Sequence, residues 1–270
     1  MNNRLTYHVA LKKFLVGQES FVEHAKHKLL YNELAPLYEL AISRNSNEEV
    51  SFLNEVIRKH FHNAHTVIDL GCGIGRHSSR LHKNFGYHVT GLDCSPGMIA
   101  IGKKSFPDCK FIIGDMRSHK LDRKYDVAIC MWSTFNYLSN SKDISGFMGV
   151  VNSVLIDGGI LIIDMKNYSR LPKVSYRRES ENKYYLMKLA ITKNAINQVY
   201  ESIYEYDIVD LKTGKKRHLK DQELAQIYSV EDIQSFTSPQ FSLLETYGDY
   251  QINVPFDPTI SDRIIVALKR

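Results

Sequence analysis

No apolar run in this chain approaches the roughly 20 residues that a bilayer-spanning helix needs. The only early apolar stretch, Val9 to Val16, is interrupted by Lys12 and Lys13, so no secretory leader is expected. Cysteine is scarce. Cys72, Cys94, Cys109 and Cys130 have no C-x-x-C spacing and point to neither a zinc knuckle nor a redox pair. Quiet, reduced thiols suit the cytoplasm. Neither the 7 prolines nor the 15 glycines gather into a linker, and no repeat or low-complexity tract is present. Charge of one sign is also in short supply: +5 over 270 residues is far from a nucleic-acid footprint.

What is present is a change of rhythm. The chain begins with helical patterning, Glu19 to Ala41 with Pro36 inside it, then Asn47 to Phe61. From Thr66 onward short apolar runs alternate with helices. Thr66–Leu70, His88–Leu92, Lys110–Ile113, Asp126–Met131 and Ile160–Ile163 read as strands. Arg76 to Phe85 and Asp143 to Leu155 read as helices, and Ser95-Pro96 as the N-cap and first position of another. That alternation predicts βαβ units and a parallel sheet. Tyr184–Thr192, Asn197–Leu211 and Lys216–Tyr228 then read as three antiparallel strands, with turns at Lys193-Asn194 and Lys212-Thr213-Gly214. Ser229 with Asp232 forms a capping box, and Phe241–Tyr247 and Arg263–Leu268 close the chain as strands.

The densest chemistry sits where strands enter helices. Val67-Ile68-Asp69-Leu70 runs into Gly71-Cys72-Gly73-Ile74-Gly75-Arg76, where bare backbone and helix N–H groups face a ligand. The spacing is G-x-G-x-G with Arg76 in place of a third dinucleotide glycine, and Asp69 would repel a pyrophosphate. A carboxylate there suits a cationic ligand. Asp93 ends the next strand, placed to take both hydroxyls of a ribose. Asp115 follows the third strand, where it can accept from an adenine amino group while Met116 covers the ring.

These pieces resemble the class I S-adenosylmethionine-dependent methyltransferases. VIDLGCGIGR, VTGLDCSPGMI, FIIGDM, YDVAICMWSTFNYL and LIDGGILIIDM stand in that family's order and spacing. The resemblance implies a doubly wound, Rossmann-like α/β sheet of seven strands, with N-terminal helices and an antiparallel β insertion after strand five. It divides the chain into a helical cap (1–48), a cofactor-binding core (49–170), an insertion acting as a substrate lid (171–228) and closing elements (229–270). It implies that Asp69, Gly71 and Gly73 line the methionine portion of S-adenosylmethionine and that Asp93 binds the ribose. Asp115 and Met116 would meet the adenine, Met131 would lie beneath the methionine arm, and Cys72, Cys94 and Met98 would border the cofactor. Tyr31, Tyr38 and Arg44 would cover it, with Arg44 able to hold its carboxylate.

The acceptor side is read partly from absences. The Asn/Asp-Pro-Pro-aromatic motif of base-amino methyltransferases is replaced by Met131-Trp132-Ser133-Thr134, and Cys130 is not in a Pro-Cys motif. Nucleic acid and membrane are therefore not expected partners. The segment Trp132 to Leu138 resembles the glycine and amino-sugar N-methyltransferases, which implies a small-molecule amine acceptor. Trp132, Ser133, Thr134, Tyr200 and Tyr204 are the candidate substrate residues and Tyr137 the candidate catalytic relay. No metal site is expected, and His77 reads as a surface residue. Tyr200, Ser202, Tyr204, Tyr206 and Ile208 share one strand face that would roof the pocket, pack on the core or form a homodimer contact. Tyr247-Gly248-Asp249-Tyr250 is a further loop at the pocket's border. Methyl transfer to oxygen, or cofactor binding without turnover, are the alternatives.

Overall fold

β-Branched residues fill three of the five positions of β1 (Thr66–Leu70), and every residue after Thr66 is buried. In the computed structural model, residues 29–42, 45–170, 173–196 and 198–270 are described. β1 pairs in parallel with β2 (His88–Asp93) and β4 (Tyr125–Cys130), while β3 (Lys110–Ile113) and β5 (Leu155–Lys166) pair in parallel on the outer sides. β10 (Ser242–Gly248) and β11 (Arg263–Lys269) complete seven strands in the order β10-β11-β5-β4-β1-β2-β3. β11 runs antiparallel to both its neighbours. The strand order reverses between β1 and β4, so a crevice opens at the carboxyl ends of these strands.

Helices cover both faces. On one side α2 (Asn47–His60) and α3 (Arg76–Phe85) bury Phe52, Leu53, Val56 and Leu81 against the sheet. Between β2 and β3 runs α4 (Pro96–Ser105), capped by the Ser95 hydroxyl accepting from Met98 N at 3.1 Å. On the other side α5 (Ser141–Val154), capped by Asn140, and α6 (Val230–Thr237), opened by the Ser229–Asp232 capping box, enclose Phe135, Phe147 and Tyr228. Phe135 sits edge-on to both aromatic rings, at 5.3 and 5.4 Å.

The insertion is a separate antiparallel sheet, and it differs from expectation. It has four strands, not three: β6 (Lys173–Glu181), β7 (Tyr185–Ile196), β8 (Val199–Asp210) and β9 (Lys216–Gln226), in that order. β6 carries Arg177, Arg178, Glu179 and Glu181 without apolar alternation, so its signal is only the backbone ladder to β7. The expected turn at Lys193-Asn194 is not one. β7 continues through Asn194, paired with Glu201, and the chain reverses between Ile196 and Val199. The turn at Lys212-Thr213-Gly214 does form, with Asp210 accepting from the N–H groups of Lys212 and Thr213 and Gly214 at φ +71°.

The helix expected over Glu19 to Ala41 also breaks. Its residues up to 28 lie outside those described. From Leu29 on, the chain forms 3₁₀ turns at Leu29–Tyr31 and Ala35–Leu37, then one turn of α-helix, α1 (Tyr38–Ala41). Pro36 has no N–H to donate and clashes with the preceding turn, which ends regular helix there. This segment is sandwiched. Leu30, Leu34, Leu37 and Ala41 pack on Met187, Leu189, Ile191, Tyr204, Tyr206 and Ile208 of the insertion. The tyrosine row on β8 is thereby covered within the chain.

Phe147 has no solvent exposure. Phe147→Ala should lower unfolding free energy by about 3–5 kcal/mol in urea denaturation. A change below 1 kcal/mol would contradict the packing described.

Candidate active site

The crevice is built first by Asp93. At the end of β2 its two carboxylate oxygens accept from Gly73 N and Ser95 N, each at 2.8 Å. One side chain thus clamps the glycine loop after β1 to the turn before α4. Gly71 N and Cys72 N donate to Leu92 O, which anchors the loop's first half. Gly71, Gly73 and Gly75 all have positive φ, of +76°, +56° and +81°. At Gly71 a Cβ would lie 2.2 Å from the Thr134 methyl, whereas at Gly73 it would meet nothing within 4 Å. The space over Gly73 opens onto the cavity.

The cavity encloses about 1010 Å³ of space with its open mouth included. Its wall includes Gly71, Cys72, Gly73, Asp93, Cys94, Met98, Asp115, Met116 and Met131, with Tyr31 and Tyr38 above and Trp132, Thr134 and Tyr137 at the far end. Candidates from four strand ends and the N-terminal segment therefore meet in one place. Asp69 does not join the wall. It is buried beneath the loop, accepting from the Ser78 hydroxyl at 2.6 Å, and burial raises its pKa. Ser133, Tyr200 and Tyr204 are also not wall residues, and Arg44 lies outside the described residues. Tyr200 stacks on Tyr168 at 4.1 Å, and Tyr168 is hydrogen-bonded to the Ser133 side chain.

Ile74, Arg76, His77, Leu92, Ser95 and Gly114 complete the wall. His77, expected at the surface, is instead buried, with Nε2 2.7 Å from Glu49 Oε2. Its helix begins inside the crevice, so its first turn faces inward. Arg76 donates to Ile42 O at 2.7 Å and lies 5.2 Å over the Tyr38 ring, strapping the N-terminal segment down. Its place directly after the last glycine was the available signal. The Ser95 hydroxyl adds a bond to Tyr31 O.

Asp115 is gripped by Arg117, whose Nη2 lies 2.7 Å from one oxygen and whose Nη1 reaches Asp143 at 2.6 Å. Beyond β4 the backbone turns sharply: Trp132 and Ser133 both take left-handed conformations, φ +58° and +64°. Such strain in side-chain-bearing residues needs support. Asp164 supplies it, accepting from Trp132 N at 2.8 Å and from the Tyr250 hydroxyl and the Arg263 guanidinium. At the far end the Tyr31 and Tyr137 hydroxyls meet at 3.0 Å. Burial first, then nearby Glu223, pushes the Tyr137 phenol well above its usual range. It stays protonated at neutral pH and can act only as a neutral hydrogen-bonding group.

A parallel sheet with one reversed strand, a glycine loop and an acid at each of the next two strand ends make up a Rossmann-like α/β fold of the kind seen in methyltransferases. Residues 67–159 match the family model described as a methyltransferase domain. Among curated relatives, a dTDP-3-amino-3,6-dideoxy-alpha-D-glucopyranose N,N-dimethyltransferase of Streptomyces fradiae is 28% identical over 49% of this chain and 52% of its own length. A glycine/sarcosine N-methyltransferase of Parasynechococcus marenigrum is 26% identical over 72% of this chain and 75% of its own. The chain thus spans about half the length of the amino-sugar relative. The solved structure of the sugar N-methyltransferase KedS8 from Streptoalloteichus superposes with a TM-score of 0.73 at 18% identity, covering 86% of this chain and 91% of that one. At that identity the likeness shows the fold alone. Among the described residues no helix is long and apolar enough to cross a membrane.

S-adenosylmethionine fits this cavity: the open space over Gly73 adjoins an ionisable acid suited to a diol. Two outcomes follow. Gly73→Ala should weaken S-adenosylhomocysteine at least tenfold by filling that space, read by quenching of Trp132, the sole tryptophan. Unchanged affinity in the folded variant would refute the loop's role. Burial raises the Asp93 pKa to about 6, against the lowering effect of the Ser95 and Gly73 N–H groups. Hydroxyl donors bind its ionised form. Affinity should be flat above neutrality and weaken as pH falls through about 6, approaching tenfold per pH unit. A pH-independent calorimetric affinity down to pH 5 would exclude Asp93 as the acceptor.

Proposed function

We propose that this protein is an S-adenosylmethionine-dependent methyltransferase acting on a nitrogen of a small-molecule acceptor, in the cytoplasm. The observation that carries it is the cavity itself. It runs from Asp115 and Met116 past Asp93 and the open αL Gly73 to a paired-tyrosine end beside the strained Trp132-Ser133 turn. In this reading Asp93 accepts both ribose hydroxyls, and Asp115, held by Arg117, accepts from the adenine amino group under Met116. Gly71 and Gly73 admit the methionine portion over Met131, and Tyr31 and Tyr38 cover it. Asp69 acts from beneath the loop, fixing the first turn of α3. The names of the relatives support nitrogen as the methyl acceptor, since both act on amines.

The bound cofactor would supply an electrophilic methyl carbon on a sulfonium, which passes to the nitrogen lone pair as the C–S bond breaks and leaves a neutral thioether. The chain's own task is then alignment and exclusion of water. The N-terminal segment performs the second, closed down by Arg76, Ser95 and the Tyr31–Tyr137 pair. Tyr137, kept neutral, orients a lone pair and does not abstract a proton. An alkyl amine reaches neutral solution protonated, with a pKa near the roughly 10.4 of lysine. A low-dielectric site beside a cation favours its neutral form.

S-adenosylhomocysteine should raise the melting temperature and NAD should not; stabilisation by NAD alone would refute the assignment. Asp93→Ala should cost about a hundredfold or more in affinity, two charge-assisted bonds at roughly 1.5 kcal/mol or more each. With an amine acceptor, kcat/KM should climb through the alkaline range. A flat profile, or turnover confined to alcohols, would transfer the assignment to oxygen.

A further inference from the structure

The acid at the end of β3 is held from two directions. On one side the backbone before it is pinned: Gly114 N donates to Asp93 O, and a Cβ at Gly114 would lie 2.5 Å from His119 and 2.8 Å from Leu92. On the other, Met116 packs into the same core as Phe147 of α5. Ser118 N and His119 N both donate to Asp115 O, closing a turn. That turn brings Arg117 back onto its own acid. Arg117 N donates to Asp115 Oδ1 at 2.9 Å, Nε to the same oxygen at 3.0 Å and Nη2 to Oδ2 at 2.7 Å. A guanidinium that meets both oxygens of a carboxylate fixes its plane as well as its position.

The clamp continues into α5. Arg117 Nη1 donates to Asp143 Oδ1 at 2.6 Å, in the first turn of that helix. Asp143 is itself buried, and its other oxygen accepts from Asn140 Nδ2 at 3.1 Å. One turn further on, a Cβ at Gly146 would lie 2.6 Å from Arg117 O. Glycine inside a helix is unfavourable, and this close approach of helix to turn accounts for it. Asn140, Asp143 and Gly146 recur every three residues, so one face of α5 serves the turn.

Of the three charged residues only Asp115 lines the cavity, flanked there by Gly114 and Met116. A cation enclosed between two acids contributes little net stability. What it supplies is direction: one fixed carboxylate plane presented to the cavity. Paired with a guanidinium, that carboxylate accepts hydrogen bonds and donates none. The exocyclic amino group of adenine donates, whereas the keto oxygen that replaces it in hypoxanthine only accepts. Resting on the S-adenosylmethionine reading above, we propose that Arg117 is a positioning residue that sets the base specificity of the site. By locking Asp115 against α5 through Asp143, it makes the cavity take an amino-purine and refuse a keto-purine. Without the fork the carboxylate turns freely, water bridges it to a keto oxygen, and the two bases become more alike.

The test is calorimetry on the full chain with S-adenosylhomocysteine and its deaminated analogue, S-inosylhomocysteine. The wild type should bind the first at least about thirtyfold more tightly. Arg117→Lys keeps the charge but loses the fork, and should narrow that ratio at least about fivefold, mainly by weakening S-adenosylhomocysteine. Asp143→Asn, which weakens the far anchor and leaves Arg117 in place, should narrow it in the same direction. Asp115→Asn, whose amide donates as well as accepts, should bring the ratio near one. Lys120→Gln removes an exposed cation three residues beyond Arg117 and should leave the ratio unchanged. A general loosening of the fold would weaken both ligands together, so parallel weakening with the ratio intact in Arg117→Lys and Asp143→Asn would overturn the proposal. Equal binding of the two ligands by the wild type would overturn it as well. Failure of the wild type to bind S-adenosylhomocysteine at all would instead strike the cofactor reading itself.

Discussion

Everything at the glycine-loop end of the cavity depends on one half-buried carboxylate. Asp93 accepts from Gly73 N and from Ser95 N, and through these two bonds joins β1, β2 and α4 at a single point. The carboxylate also lines the cavity, where the proposed reading sets a diol against it. Its raised pKa is the consequence of taking a carboxylate out of water with only backbone N–H donors as compensation. A group that both builds the loop and lines the cavity ties the loop's geometry to the chemistry proposed for the site. The glycines around it follow from the same constraint: positive φ lets the backbone circle the carboxylate, and the missing Cβ leaves room for what it binds.

A second anchor works on the acceptor side. Asp164 is fully buried and holds the left-handed Trp132-Ser133 turn from below while neutralising Arg263. Buried ion pairs contribute little net stability. This one is better understood as a positioning device. It fixes two strained residues beside the far end of the cavity and, through Tyr250, connects them to the loop after β10. The two ends of the cavity are thus organised by different acids on different strands.

The N-terminal segment links the two. It lies between the cavity and the insertion, bonded to Ser95 and Arg76 on one side and to Asp221 on the other, with its leucines on β7 and β8. A cover of short turns, broken by Pro36, has few internal hydrogen bonds of its own. Its stability comes from its neighbours on both sides.

Much of this was legible in one dimension. The five parallel strands, the Ser95 and Ser229 caps and the acids at the ends of β2 and β3 follow from local rules: apolar runs, capping residues and the offset between a strand and its glycine turn. Each depends on neighbours close in sequence. What local rules missed depended on distant partners. β6 is a strand because β7 offers it a ladder, the hairpin lies at Ile196–Val199 because pairing with β8 outcompetes the Lys193-Asn194 turn signal, and His77 is buried because Glu49 meets it. Asp69 looked like a wall residue from its motif, yet the depth of β1 places it beneath the loop. Sequence by itself determined the sheet and the chemistry of its strand ends, since those reside in contiguous residues. Only the tertiary structure decided which tyrosines pack and which charges converge. Residues as far apart as Leu30, Leu189 and Tyr206 become neighbours only when the insertion packs on the N-terminal segment.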